Sequence, residues 1–344
     1  MRRYRQKSSV KRQPPFRRFT DMPEVAMAQP APSPARILNR LRDGDRIAHL
    51  LTALFATLII LITVLLFFGL FHGSVLARQK FGLPFFLSRE WDPVAGQFGA
   101  LPFLYGTVVT SIVALVISVP LGVGAAIFLS ELAPPRISDA LTFVIELLAA
   151  VPSVIFGLLG VFIVVPFLRT EVEPLLQRTL GFLPLFQGPI YGVGFLAAGI
   201  VLAIMTVPFI VTISREALLA VPADQREAAL AIGSTRWEAI WQVVVPYARL
   251  GIVGSVFLAL ARALGETMAV TMVIGNNPRI AASLFAPGYT VAAVIANEFT
   301  EATGELYIQA LIELGLVLFL LTILMNGLAQ LLVRLTTRQA MAHA

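Results

Sequence analysis

Long apolar runs that carry few or no charges dominate this chain. Leu50 to Phe71 is 22 residues without Asp, Glu, Lys or Arg, enough at about 1.5 Å per helical residue to cross roughly 30 Å of hydrocarbon. Comparable runs cover Phe103–Ser130, Ala140–Leu168, Ile190–Ile213, Leu250–Ile274 and, less sharply bounded, Leu306–Val333. Inside a bilayer no water reaches the backbone, so a spanning segment must satisfy its own N–H and C=O groups. The expected fold class is all-α, a polytopic membrane protein with six transmembrane helices. Composition agrees, with 57% hydrophobic and 13% charged residues, against about 25% charged in soluble domains.

The residue inventory narrows the chemistry. There is no cysteine, which excludes disulfides, thiol catalysis and thiolate metal sites. The histidines, His49, His72 and His343, are too scattered for a metal cluster. The lysines, Lys7, Lys11 and Lys80, lie in no phosphate-binding G-x-x-x-x-G-K-[ST] loop. The chain is read as non-catalytic, with no metal and no cofactor of its own. If it pumps a solute, another subunit supplies the energy.

Residues 1–46 carry twelve Lys and Arg, four acids and six prolines, and read as a disordered basic cytoplasmic tail attracted to anionic lipid. No aromatic interleaving supports nucleic-acid binding. Residues 47–72 form the first transmembrane helix, too deep in the chain for a signal peptide. An outer loop covers 73–102, five more helices occupy 103–335 with a polar loop at 214–249, and 336–344 is a short cytoplasmic tail. Six spans place both termini on one side, which collects 19 Lys and Arg against six on the other. That asymmetry points to cytoplasmic termini. Pro152-Ser153 interrupts the third run, and a kink or two half-helices is expected there. A half-apolar patch from Pro287 to Ala296 has the composition to turn back towards the bilayer.

The polar loop has its own pattern. Pro222 to Ile232 reads as a short helix, Gly233-Ser234 breaks it, and Thr235-Arg236-Trp237-Glu238 has the spacing of a capping box. Leu230, Ile232, Trp237, Ile240 and Trp241 offer an apolar face. A hairpin of this kind suits a docking surface or the membrane surface equally well.

Arg262 falls at the midpoint of the fifth run, roughly 18 Å from either end. An arginine there costs about 2.5–3.5 kcal/mol on insertion scales and usually faces a bundle interior. Glu266, four residues on, is expected to sit above it on the same helical face and neutralise it. Gly251, Ser255, Ala259 and Ala263 form a small-residue stripe that lets a neighbouring helix approach. Gly254, Leu258, Arg262 and Glu266 form the adjoining row. A guanidinium suits an oxyanion, and a nearby glutamate would keep that anion from being trapped. Glu146 and Glu313 match no motif, and packing or interfacial roles are expected for both.

Two stretches resemble a known family. Glu227-Ala228-Ala229, then Gly233, then Val243-Val244-Val245-Pro246 is similar to the EAA loop of ABC-importer permeases, with valines for the family's isoleucine and leucine. Arg262-Ala263-Leu264-Gly265-Glu266-Thr267-Met268-Ala269-Val270 with Ile274-Gly275-Asn276 resembles the PstC-type permeases of phosphate-specific ABC importers. Phe98-Gly99-Ala100-Leu101-Pro102, Tyr105-Gly106-Thr107 and Val151-Pro152-Ser153-Val154 with Gly157 share that resemblance. It implies a type I ABC importer permease fold over about residues 47–335, in a bacterial inner membrane. It also implies a heterodimeric pore with a PstA-like second permease. Two PstB-like ATPase subunits would carry ATP and Mg, and a PstS-like periplasmic binding protein would deliver phosphate. Arg262 and Glu266 become the phosphate path. Glu227, Ala228, Ala229, Gly233 and Pro246 become the loop that seats in the ATPase. A permease for sulfate or molybdate, or a stand-alone transporter or channel, is the alternative.

Overall fold

The computed structural model describes residues 34–341. Residues 1–33 and 342–344, most of the expected basic tail and the last of the short one, lie outside the described residues. The first helix, α1, runs Pro34–Gly73, so it begins inside the stretch expected as tail. Its apolar span starts at Ile47, and the Thr52, Thr57 and Thr63 hydroxyls donate to carbonyls four residues back, as a helix in hydrocarbon needs.

From Val64 onwards the elements are α2 (Val75–Phe81), α3 (Leu101–Leu132), α4 (Pro135–Ala149), α5 (Ser153–Leu180), α6 (Phe195–Leu219), α7 (Ala223–Ala231), α8 (Arg236–Gly265), α9 (Met268–Val273), α10 (Val291–Glu298) and α11 (Glu305–Met341). Among the described residues, six helices are long and apolar enough to cross a membrane, and strands are absent. α6 is the central one. In its most apolar stretch 67% of residues are buried, and it packs against both α3 and α8.

Several boundaries differ from expectation. The fourth span is shifted to Phe195–Leu219, and the outer segment expected as loop from 169 stays helical to Leu180. The third run divides as Pro152 requires. α4 ends at Ala149, Pro152 is extended at φ −59° and ψ 142°, and α5 starts at Ser153. The polar loop shrinks, because its second half belongs to α8, which is continuous from Arg236 to Gly265 through a wider turn at Ile240–Val244.

Three apolar clusters hold the bundle. The middle one gathers Phe156, Val164, Val201, Met205, Ala269 and Val273. The one beneath the polar loop includes Ile127, Leu218, Ile240 and Val244. The one at the opposite end of α3 is aromatic, with Phe98, Phe103 and Tyr289 buried and Trp91 edge-on to Phe98 and Phe103. Here the Phe98–Thr107 motif has a structural task. Tyr105 Oη donates to Ala281 O at 2.6 Å and Thr107 Oγ1 accepts the Val291 N–H at 3.0 Å. Gly106 lies so close to the Tyr289 carbonyl that a Cβ would overlap it. Burial pushes the Tyr289 phenol up to about 12, so it stays protonated and accepts the Asn297 amide at 3.0 Å.

Candidate anion passage and coupling loop

The fifth helix stops sooner than its apolar run does. α8 ends at Gly265, Glu266 is extended at φ −70° and ψ 127°, and α9 begins at Met268. Arg262 therefore lies in the last turn of a helix, not at its midpoint. The break removes the geometry that would stack Glu266 on Arg262, and the expected ion pair does not form. Among the described residues the one ion pair is Arg226–Glu131. Glu266 caps α9 instead, its Oε1 accepting the Ala269 N–H at 3.2 Å.

Arg262 nonetheless sits at mid-depth, judged by its neighbour. Its guanidinium carbon is 4.4 Å from the centre of the Phe209 ring. Phe209 is close to the middle of α6, which runs Phe195–Leu219. The ring face stabilises the cation electrostatically. Nε of Arg262 is buried without a hydrogen-bond partner, while the side chain as a whole is half-buried. Its charge is therefore held by an aromatic face and opposed by no carboxylate.

The helices that follow the two breaks pack together. Gly157 of α5 lies against Ala269 and Met272 of α9, and Gly160 lies against Val273 and Val201. Both helices advance together along this contact, so they are parallel. Extrapolated back one turn, the start of α5 at Ser153 faces the Gly265–Glu266 break. Irregular backbone at membrane depth persists only where protein covers it or it borders a cavity, and discontinuous helices paired near the midplane are how transporters build solute sites. Ala150, Pro152 and Gly265 are exposed in this chain, so the breaks form a surface rather than a sealed core.

The small-residue stripe behaves as the sequence predicts. Ser255, Ala259 and Ala263 are buried, Gly251 meets Ala217, and Ser255 Oγ bonds Ser214 Oγ at 2.8 Å. The adjoining row turns away from this seam, with Leu258 58% exposed and Gly254 facing open space.

The polar loop also forms as predicted, as a helix, a glycine turn and a helix. Pro222 precedes α7, Gly233 has φ +96°, and Thr235 and Glu238 make a complete capping box. Glu227 and Ala228 are exposed while Ala229 is buried beneath them. Ile232, Trp237 and Leu230 are exposed, at 85% for Ile232, but Ile240 turns inward at 4%. Pro246 is exposed within the continuous helix α8.

What anchors this loop escaped the sequence reading. Arg226 Nη2 is 2.8 Å from Glu131 Oε1 and its Nε is 3.2 Å from Oε2. The same guanidinium donates to the carbonyls of Leu218 and Val221. It thus joins α7 to the inner ends of α3 and α6. The one sequence signal was an acid ending the second uncharged run and a base inside the loop.

Comparison with known proteins completes the description. Residues 118–338 match the family described as binding-protein-dependent transport system inner membrane component. The chain is 46% identical over 324 residues to the phosphate transport system permease protein PstC of Mesorhizobium japonicum, covering 92% of this chain and 99% of the relative. It is 48% identical over 296 residues to the protein of the same name from Xylella fastidiosa, covering 84% and 90%. In fold it resembles a chain of a bacterial ABC transporter involved in the import of the acidic polysaccharide alginate, with a TM-score of 0.56 at 15% identity over 86% of this chain and 98% of that one. With two broken helices meeting at mid-depth and a clamped, glycine-hinged loop at one end, this chain belongs to the binding-protein-dependent transport system inner membrane component family.

Proposed function

We propose that this chain is the transmembrane permease subunit of an ATP-driven importer of inorganic phosphate, and that Arg262 is the point past which the anion travels. The observation that carries the reading is a mid-depth guanidinium with no carboxylate partner, beside two helix breaks. The names of the relatives supply the cargo. Phosphate offers the oxygens that a planar guanidinium binds in parallel. Glu266 remains on the far side of the break with its carboxylate engaged by Ala269. With no carboxylate bound to it, the guanidinium is free for the anion, and its half-exposed position lets that anion leave, since a conduction site must bind weakly enough to let go.

Coupling follows from the length of α8. Arg236, at the loop, and Arg262 belong to one helix and are about 39 Å apart at 1.5 Å per residue. A push on the loop therefore reaches the anion site through one rod. In this reading Glu227, Ala228 and Ala229 meet a cleft of a PstB-like ATPase, two copies of which bind ATP and Mg. Gly233 supplies the bend. A PstA-like permease completes the pore, and a PstS-like binding protein delivers phosphate to the outer face. The basic residues near the first span, Arg36, Arg40, Arg42 and Arg46 among them, orient both termini to the cytoplasm.

The test is uptake of radiolabelled phosphate by proteoliposomes holding the assembled complex, with and without ATP. Arg262→Gln is expected to assemble and to lose uptake, and normal uptake by that variant would sink the assignment. Sulfate or molybdate carried in preference to phosphate would reassign the cargo. Uptake that persists without the ATPase subunit would reassign the class.

A further inference from the structure

A second charged site, built from other residues than Arg262, lies between α2 and α11. A cavity of ≈ 230 Å³ there is lined by Arg78, Leu83, Phe86, Glu313 and Leu316 among others. Glu313 is 1% exposed, and its Oε2 has no hydrogen-bond partner. Arg78 lies 3.5 Å over the Phe71 ring and donates from Nη2 to the Phe71 carbonyl, while its Nε is buried and unpartnered. Both residues line one cavity, yet they form no ion pair within 4 Å. A buried carboxyl oxygen without a partner is costly, and the half-buried Arg78 beside it keeps donors that Phe71 does not use, so the cavity is shaped for something that carries both signs.

Its place in the bundle says what that is. Gly73, where α1 ends, touches Ile312, and the Leu76 N–H donates to Gln309 Oε1 at 2.7 Å. The cavity thus lies beside the end of the first apolar helix, where hydrocarbon gives way to headgroups. Next to it are bare leucines, Leu83 at 81%, Leu87 at 75% and Leu76 at 40% exposure. A water-soluble ligand has no use for them, whereas acyl chains cover them.

We propose that this cavity binds the headgroup of a phospholipid whose phosphate is joined to a primary ammonium. The phosphate takes Arg78, the ammonium donates to Glu313, and the acyl chains lie over Leu83 and Leu87. The lipid belongs to the leaflet on the side away from the polar loop. A quaternary ammonium has no N–H to give Glu313 and is disfavoured.

The experiment uses the assembled complex in nanodiscs containing phosphatidylglycerol with either phosphatidylethanolamine or phosphatidylcholine. Lipid retained after detergent washing is counted by native mass spectrometry. Phosphatidylethanolamine is expected to be retained in preference to phosphatidylcholine. Glu313→Gln is expected to lower its retention about tenfold, as loss of a charge-assisted hydrogen bond implies, and to leave phosphatidylglycerol unchanged. Arg78→Gln is expected to lose both. Leu316→Phe fills the cavity without changing charge and should release the lipid too, which keeps the test alive if the charge variants fail to assemble. Equal retention of phosphatidylcholine, or unaltered retention in Leu316→Phe or in an assembled Glu313→Gln complex, would overturn the proposal. So would O-phosphorylethanolamine, which has no acyl chains, binding as strongly as the lipid.

Discussion

The clamp between Arg226 and Glu131 predicts a specific uncoupling. The pair is partly shielded, with side-chain exposures of 25% and 9%, so it falls between exposed pairs worth ~0.2–1 kcal/mol and buried pairs whose breakage costs ~3–5 kcal/mol. Two contacts to the carboxylate, at 2.8 and 3.2 Å, and two backbone carbonyls share one guanidinium. Replacing it with the amide of Arg226→Gln leaves the Glu131 carboxylate nearly buried and strips the Leu218 and Val221 carbonyls of donors. We estimate a cost of roughly 2–3 kcal/mol in the docking of α7 onto α3 and α6, or about 30- to 150-fold in the population of the clamped state. The complex should still assemble and hydrolyse ATP, while phosphate moved per ATP falls. Uptake and ATPase rate measured on the same proteoliposomes give that ratio directly. The reversed pair, Glu131→Arg with Arg226→Glu, restores the Coulombic attraction but not the donors to the two carbonyls. It should recover part of the ratio relative to the single variants. If the two single effects simply add in the double variant, or if Arg226→Gln transports at full ratio, the clamp does not transmit force.

Other outcomes follow from close contacts and backbone geometry. Gly106→Ala puts a methyl into the Tyr289 carbonyl, so α3 must part from the aromatic cluster; a cost of ~1–3 kcal/mol should appear as a lower melting temperature of the detergent-solubilised protein. Gly233 faces open space but has φ +96°, so backbone strain decides its substitutions. Gly233→Val should weaken ATPase capture in a pull-down more than Gly233→Asn, because asparagine tolerates positive φ better; equal capture of both would show that the turn is not needed. Arg262→Lys keeps the charge but loses the planar fork, and should retain uptake at a lower rate than the unaltered chain while Arg262→Gln has none.

The sequence by itself determined those features that a few neighbouring residues can settle. Apolar runs with few or no charges, long enough to cross hydrocarbon, specified six helices, because the cost of an unbonded backbone in a bilayer leaves no other solution. Proline divided the third run at 152, a threonine and a glutamate three apart capped the helix after Gly233, and small residues four apart marked the seam against α6. All of these are read within a single helix or turn. Tertiary structure decided what lies beyond that range. The run through Arg262 and Glu266 contains no proline, and hydropathy continues to Ile274, so the stop at Gly265 was invisible. The neighbouring start of α5 and the capping of α9 by Glu266 accompany that stop, and they turn a supposed ion pair into an unopposed guanidinium. The Arg226–Glu131 clamp joins residues 95 apart in sequence, and Arg78 meets the cavity of Glu313 only because α2 folds onto α11. Which charges find partners depends on which helices pack, and packing is a property of the assembled bundle rather than of any one segment.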